Sequence, residues 1–490
     1  MKLKALAAVC ALAFSSQVHA AATAPTTLFI SGSSALQVTI GQIAANMFVA
    51  GTVNTYFDAS GNGANYRAYT GTFVSTNADL NAASLGGKPG VVYEMAKGGS
   101  LMGILPVAAA ANVSGLPSTL VLDLTTCTDT HSIDKNSGGE LFNCTGTLPA
   151  VPDAGVADVE PALFVGINVP TGSPTVTPAV IGALNTVSTL AQPMGIIETN
   201  NIVTSFPSLT SLTKPQVTAL MDGTSSDWSY VDTSVTAGPV TVCRRTPGSG
   251  TQSSINDFFF GFPCSTGSTS PSTSQGDGSS VYTVIENTSS GALGSCMTAV
   301  QNGLDSGYVI DTTSGAISKQ APNGSNLITL PAGGRAIGLM GLDRPAQSNH
   351  TPGITGTNGG ATTITETYTF AQIDRVQPTV ENAVLGAYDV LVNNSWNNRL
   401  NTVNGIAPLS GAKLALYNAA KNLSGNSSIL GICKTPSVPG VAALANPTTG
   451  NYDPTTTGCT VNGVAYSNVL LNPVMRTAKT NSCQNAQQVQ

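Results

Sequence analysis

Charge is scarce in this sequence: Asp, Glu, Lys and Arg make up only 9% of its 490 residues. A nucleic-acid binder needs clustered cations to displace the counterions of a phosphate backbone, so that class is excluded. Histidine is scarcer still, with three in the chain. His19 falls in an N-terminal leader, which leaves His131 and His350. Two histidines and no C-x-x-C pair argue against a His/Cys metal site, and no cofactor or metal is expected. There is no G-x-S-x-G elbow either, so little material exists for a Ser-His-Asp hydrolase or a two-metal phosphatase. After the leader, no stretch of some twenty apolar residues could serve as a membrane anchor.

What is present begins with the leader itself. Met-Lys-Leu-Lys is followed by the apolar run ALAAVCALAF and then by SSQVHAAATA. That is a signal peptide over residues 1–20, cleaved after Ala20. Cys10 is not a lipidation site on this reading, because Val9 stands where a small residue is needed. The mature protein is expected in the periplasm or the medium. Without Lys2 and Lys4 the 19 basic residues fall to 17 against 25 acidic, a net charge of −8. The overall field therefore repels anions, and any anion site must attract locally. Eight cysteines remain, at 127, 144, 243, 264, 296, 433, 459 and 483. An even count in an exported chain implies disulfides, with Cys127–Cys144 the easiest local pair. Closing a loop of that size stabilises by roughly 3 kcal/mol in the chain-entropy account.

About 470 mature residues are too many for one ordinary core, so two or more lobes are expected. Strand-then-helix units recur. TTLFISGSSALQVTIGQIAANMF opens with an apolar strand, turns at Ser31–Ser34, and places Leu36, Ile40, Ile43 and Met47 at helical spacing. GPVTVCRRTPGSGTQSSINDFFF repeats the design, with a strand at Val240–Cys243. TKPQVTALMDG has Thr213 as N-cap and Gly223 as stop, and GAKLALYNAAKNL is a further helix. Alternating strands and helices specify an α/β architecture. The Gly/Ser/Thr/Pro-rich stretches 100–157, 262–281, 350–366 and 434–458 read as surface insertions.

The stretch CRRTPGSGTQSS carries the chemistry. If Ser249 starts a helix, the N–H groups of Gly250, Thr251 and Gln252 lack intrahelical partners and attract an oxyanion together with the helix dipole. Ser249 and Thr251 add hydroxyls, and the glycines admit close approach. Arg245, four residues earlier, can reach back with a two-donor fork. Ser31-Gly32-Ser33-Ser34-Ala35 makes a second hydroxyl-bearing turn of the same kind, and two such turns on separate units can face each other. An ordinary capped turn is the plainer explanation of either turn alone.

In chain order, SGSSALQ, GVADVEPALF at 155–164, LTKPQVTALMDGTSSDWS at 212–229, RTPGSGT at 245–251 and RAIGLMGL at 335–342 resemble the phosphate-binding proteins of ABC transporters, of the type 2 periplasmic-binding fold. The resemblance implies two lobes closing on the ligand about a hinge. Lobe one would span 24–192 with an insertion at 100–157, lobe two 193–344, and 345–490 would return to lobe one and add a C-terminal extension. It implies Ser34, Ala35 and, more loosely, Thr72 as donors from lobe one. Arg245, Ser249, Gly250 and Thr251 would donate from lobe two. Asp158 would accept the proton of a monoprotonated phosphate, which sulfate lacks. The sequence departs from the family at Pro247, where an acid often follows the arginine, and at Leu36 and Gln37 in the first loop.

The expected function is therefore capture of phosphate or a similar oxyanion by an exported binding protein, with an ABC permease as a possible partner and no catalysis. The alternatives are a secreted surface or matrix protein on the same fold and, less favoured, a secreted phosphatase.

Overall fold

The computed structural model describes residues 25–425 except 60–62, 64, 110–118, 135–136, 207–208, 210, 266–280, 304–307, 311–316, 320–332, 343–367, 380–381 and 384–385, and further on it describes 442–443, 459–461 and 464–466. The leader and the stretch 350–366 lie outside the described residues, as do Cys433, Cys483 and most of 434–458.

One 14-stranded mixed sheet runs through the molecule. Its strands are β1 (Thr26–Gly32), β2 (Asn54–Asp58), β3 (Tyr66–Thr72), β4 (Pro89–Met95), β5 (Cys127–Ile133), β6 (Glu140–Cys144) and β7 (Ala154–Ala157). They continue with β8 (Leu184–Thr199), β9 (Val240–Arg245), β10 (Tyr282–Asn287), β11 (Arg335–Gly341), β12 (Tyr368–Phe370), β13 (Leu391–Arg399) and β14 (Ala442–Ala443). The order across the sheet is β10-β9-β11-β8-β13-β7-β1-β4-β3-β2-β6-β5, with β12 and β14 also pairing with β8.

The long strand β8 divides the sheet in two. Its first part, Leu184–Pro193, pairs with β13, and its second part, Met194–Glu198, pairs with β11. On the first side β7, β1 and β4 run parallel, and on the second β11, β9 and β10 do. These halves are the two lobes. The chain crosses back where Met194 N donates to the Val390 carbonyl, just before β13. A return to lobe one was expected at 345. Instead β12 pairs with Ile197–Thr199, and the short strand Gln372–Ile373 pairs with Ser211–Leu212, both on the second side.

Five helices of nine or more residues cover the described sheet: α1 (Gln37–Met47), α2 (Lys214–Asp222), α3 (Gly250–Phe260), α4 (Ser290–Asn302) and α5 (Gly411–Ser424). The expected apolar stripe of α1 is buried, and Leu36, Ile40, Ile43 and Met47 pack with Leu28, Ile30 and Trp396 against α5. Truncating one of these to Ala would cost about 2–5 kcal/mol through the cavity it leaves. Thr213 and Gln216 form a reciprocal capping box on α2, which stops at Gly223 with φ +80°.

The expected insertion at 100–157 is only partly one. The outlying strands β5 and β6 do carry the Cys127–Cys144 disulfide, as a directly opposed cross-strand pair. Residues 100–108, however, are buried and place Leu101, Ile104, Leu105 and Val107 in a core shared with Trp228, Val240 and Phe259 of lobe two. Strand β7 sits between β1 and β13 in the middle of the sheet. Both segments fall inside a long stretch read as Gly/Ser/Thr/Pro-rich, and neither carries a local periodic signal of its own.

Candidate functional site

Five strands, β1, β4, β7, β9 and β10, end in turns that meet, three from lobe one and two from lobe two. Ligands in open α/β sheets sit beyond such carboxyl ends. The turn after β1 is fixed by Gly32, whose φ is +131° and whose Cα lies so near the Val156 carbonyl that a Cβ would sit 1.9 Å from that oxygen. Ser33 follows. Its hydroxyl donates to Asp158 Oδ1, just past β7, and accepts from Ala35 N at 3.0 Å. Asp158 N donates to Ser100 Oγ at 3.1 Å, past β4. From lobe two, Thr251 Oγ donates to Asp158 Oδ2 at 3.3 Å. Gly250 faces the same carboxylate: a Cβ there would lie 2.6 Å from both Asp158 Cβ and Ser100 Oγ. Only a glycine lets α3 start this close to lobe one.

The two arginines of the CRRT stretch separate because neighbouring strand residues point to opposite faces. Arg244 turns away and pairs with Glu286, its cross-strand neighbour, at 3.3 Å. Burial lowers the pKa of that guanidinium and raises that of Glu286, while each partner's charge opposes the shift. Arg245 turns into the site and is 1% exposed. Its Nη1 donates to Ser34 Oγ across the lobes and to Ser290 Oγ, both at 3.1 Å. Its Nη2 donates to the Thr288 carbonyl at 2.9 Å and its Nε to the Asn287 carbonyl at 3.1 Å. All four of these acceptors are neutral.

Ser249 is the N-cap of α3, but its hydroxyl caps nothing. The residue is 2% exposed, and its Oγ is buried with no hydrogen-bond partner. Leaving a buried hydroxyl unsatisfied costs about 1–3 kcal/mol. It lies at a helix start whose first N–H groups have no intrahelical acceptor. Asp158 is buried too. Burial raises its carboxyl above the ordinary carboxylate range, and Ser33, the Arg245 charge, Thr251 and Ser100 pull it partly back.

Ser34, Asp158, Arg245, Ser249, Gly250 and Thr251 thus meet in one place. Ala35 is buried beside them, its N–H already given to Ser33. Thr72 is not there. It lies opposite Pro89 at the far end of β3, whereas Tyr66 is the residue opposite Met95 at the site end of β4. Six residues of strand, at about 3.3 Å each, separate it from the cluster. Its N–H bonds Thr52 Oγ1 instead. The structure adds Ser33, Ser100 and Ser290. Ser100 follows VVYEMAKGG and Ser290 follows VIENTS, both strand-then-hydroxyl turns of the kind read elsewhere.

No family model and no curated protein matches the sequence. Solved structures of phosphate-transport receptors are similar to the chain. One is a putative phosphate ABC transporter substrate-binding protein with bound phosphate from Clostridium perfringens, at 11% identity over 80% of this chain and 92% of that one, with a TM-score of 0.39. Another is an ABC-type phosphate transport receptor from Vibrio cholerae, at 9% identity over 81% and 93%, with a TM-score of 0.35. Among the described residues no three His, Cys, Asp or Glu side chains group as a metal site, and no helix is long and apolar enough to cross a membrane.

Proposed function

We propose that the chain binds a tetrahedral oxyanion, phosphate foremost, between its two lobes. The observation that carries this is the Ser249 hydroxyl, buried and unpartnered at the start of α3, four residues after the buried Arg245 that ends β9. An entering anion would take donation from Ser249 Oγ, from the first N–H groups of α3 and from the Arg245 guanidinium. Ser34 Oγ, which now accepts from Arg245, would turn its own proton to the anion. Asp158 would accept from a protonated ligand oxygen, which disfavours sulfate because two acceptors would then face each other unpaired.

In this reading the protein is exported by its leader and hands the anion to an ABC permease; no catalytic step is involved. Isothermal titration of the mature protein with phosphate, arsenate and sulfate tests it. The expected result is one site per chain, phosphate and arsenate bound alike, and sulfate bound far more weakly. Absence of heat with all three anions would refute the reading.

A further inference from the structure

We infer that the Cys243–Cys296 disulfide is a positioning element for Arg245, setting the anion affinity proposed above rather than only the stability of lobe two. Cys243 and Arg245 are two residues apart on β9 and share a face, the one packed against α4. Along that face β9 and α4 run in opposite directions and meet at two points. Cys243 is bonded to Cys296 in the second turn of α4, and Arg245 Nη1 reaches Ser290 at the helix start. The spans match in scale: two strand residues cover about 6.6 Å and six helical residues about 9 Å. Three of the acceptors around Arg245, the Asn287 and Thr288 carbonyls and Ser290 Oγ, run from the last residue of β10 through the turn to the first residue of α4. A shift of α4 along β9 would therefore move the seat of the guanidinium. The disulfide blocks that shift. Both cysteines are fully buried among Ile197, Leu293, Met297 and Phe370, so the bond is not a surface staple. The second described disulfide, Cys127–Cys144, lies at the outer edge of lobe one and holds no site residue.

The experiment is phosphate titration of a mutant cycle. Cys243→Ala/Cys296→Ala is made in the wild-type chain and in Arg245→Lys, with Cys127→Ala/Cys144→Ala as control. Removing Cys243–Cys296 should weaken phosphate binding about tenfold in the wild type and less than about twofold in Arg245→Lys, since coupled residues are not additive. The control pair should change affinity less than about twofold, consistent with a distant site. Equal losses in both arginine backgrounds, or no loss, would overturn the inference. Amide hydrogen exchange at 288–290 gives a ligand-free readout: exchange should quicken without Cys243–Cys296, and unchanged exchange also overturns it. If wild type fails to bind phosphate while the exchange effect appears, the anion reading fails and the clamp stands. Should the cysteine variant not fold, Ser290→Ala serves. It should lower affinity in the wild type but not in Arg245→Lys, and an equal effect in both overturns the proposal.

Discussion

The turn after β1 and the turn after β9 were built from the same parts, a strand, a glycine, hydroxyls and a helix, yet they hold their hydroxyls differently. In lobe one Ser33 is saturated, giving its proton to Asp158 and accepting from Ala35. In lobe two the Ser249 hydroxyl has no partner, and the buried Arg245 precedes it by four residues. The first turn is a frame that orients a carboxylate. The second carries one hydroxyl without a partner, in a turn whose Arg245 and Thr251 already donate to the protein. A helix start with a satisfied cap is ordinary protein; an unsatisfied buried hydroxyl is the exception.

The largest effect that would break this contrast is at Arg245. Arg245→Ala should cost phosphate binding about 2–5 kcal/mol, as for a buried charge pair losing one member, measured by titration. Arg245→Lys should also weaken binding, because an ammonium lacks the planar fork.

The two serines sharpen the contrast. Ser33→Ala strips a donor from the buried Asp158 and should lower stability by about 1–3 kcal/mol in denaturant unfolding. Ser249→Ala breaks no bond in the free protein and removes an unsatisfied buried hydroxyl, so stability should rise by about 1–3 kcal/mol while phosphate affinity falls by about 1 kcal/mol. The reverse assignment of the two effects would erase the distinction between frame and donor.

Asp158→Asn should act mainly on choice, since its amide can donate as well as accept. The preference for phosphate over sulfate should shrink more than phosphate affinity does. It should also flatten a pH dependence of stability. The folded state raises the pKa of Asp158, so folding retains a proton that unfolding releases. The stability tied to that proton is present at low pH and is lost as pH rises through the raised value. The smallest effect is expected at Thr72: Thr72→Val, far along β3, should leave phosphate affinity unchanged within error.

How far the sequence revealed this site follows from the range of each signal. The turn-helix units at Ser31–Ala35 and Arg245–Thr251 are local patterns, and both were legible because a periodic helix follows each turn. Ser100 escaped because the segment after it forms only a short 3-10 turn, Ser100–Gly103, and a five-residue helix, too short to show helical spacing. Thr72 was misplaced because the register of an antiparallel strand depends on its partner, and β3 runs against β4 rather than with it. The lobe return at 345 was read too early for the same reason: β12 is tied to lobe two by a pairing with β8 that nothing local announces.

The most direct test of the central claim is a crystal structure of the protein grown with phosphate. The account predicts tetrahedral density within hydrogen-bond distance of Ser249 Oγ and the Arg245 guanidinium, with the Arg245–Ser34 hydrogen bond opened to admit it. Phosphate bound elsewhere, with Ser249 still unpartnered and Arg245 still on Ser34, would contradict it.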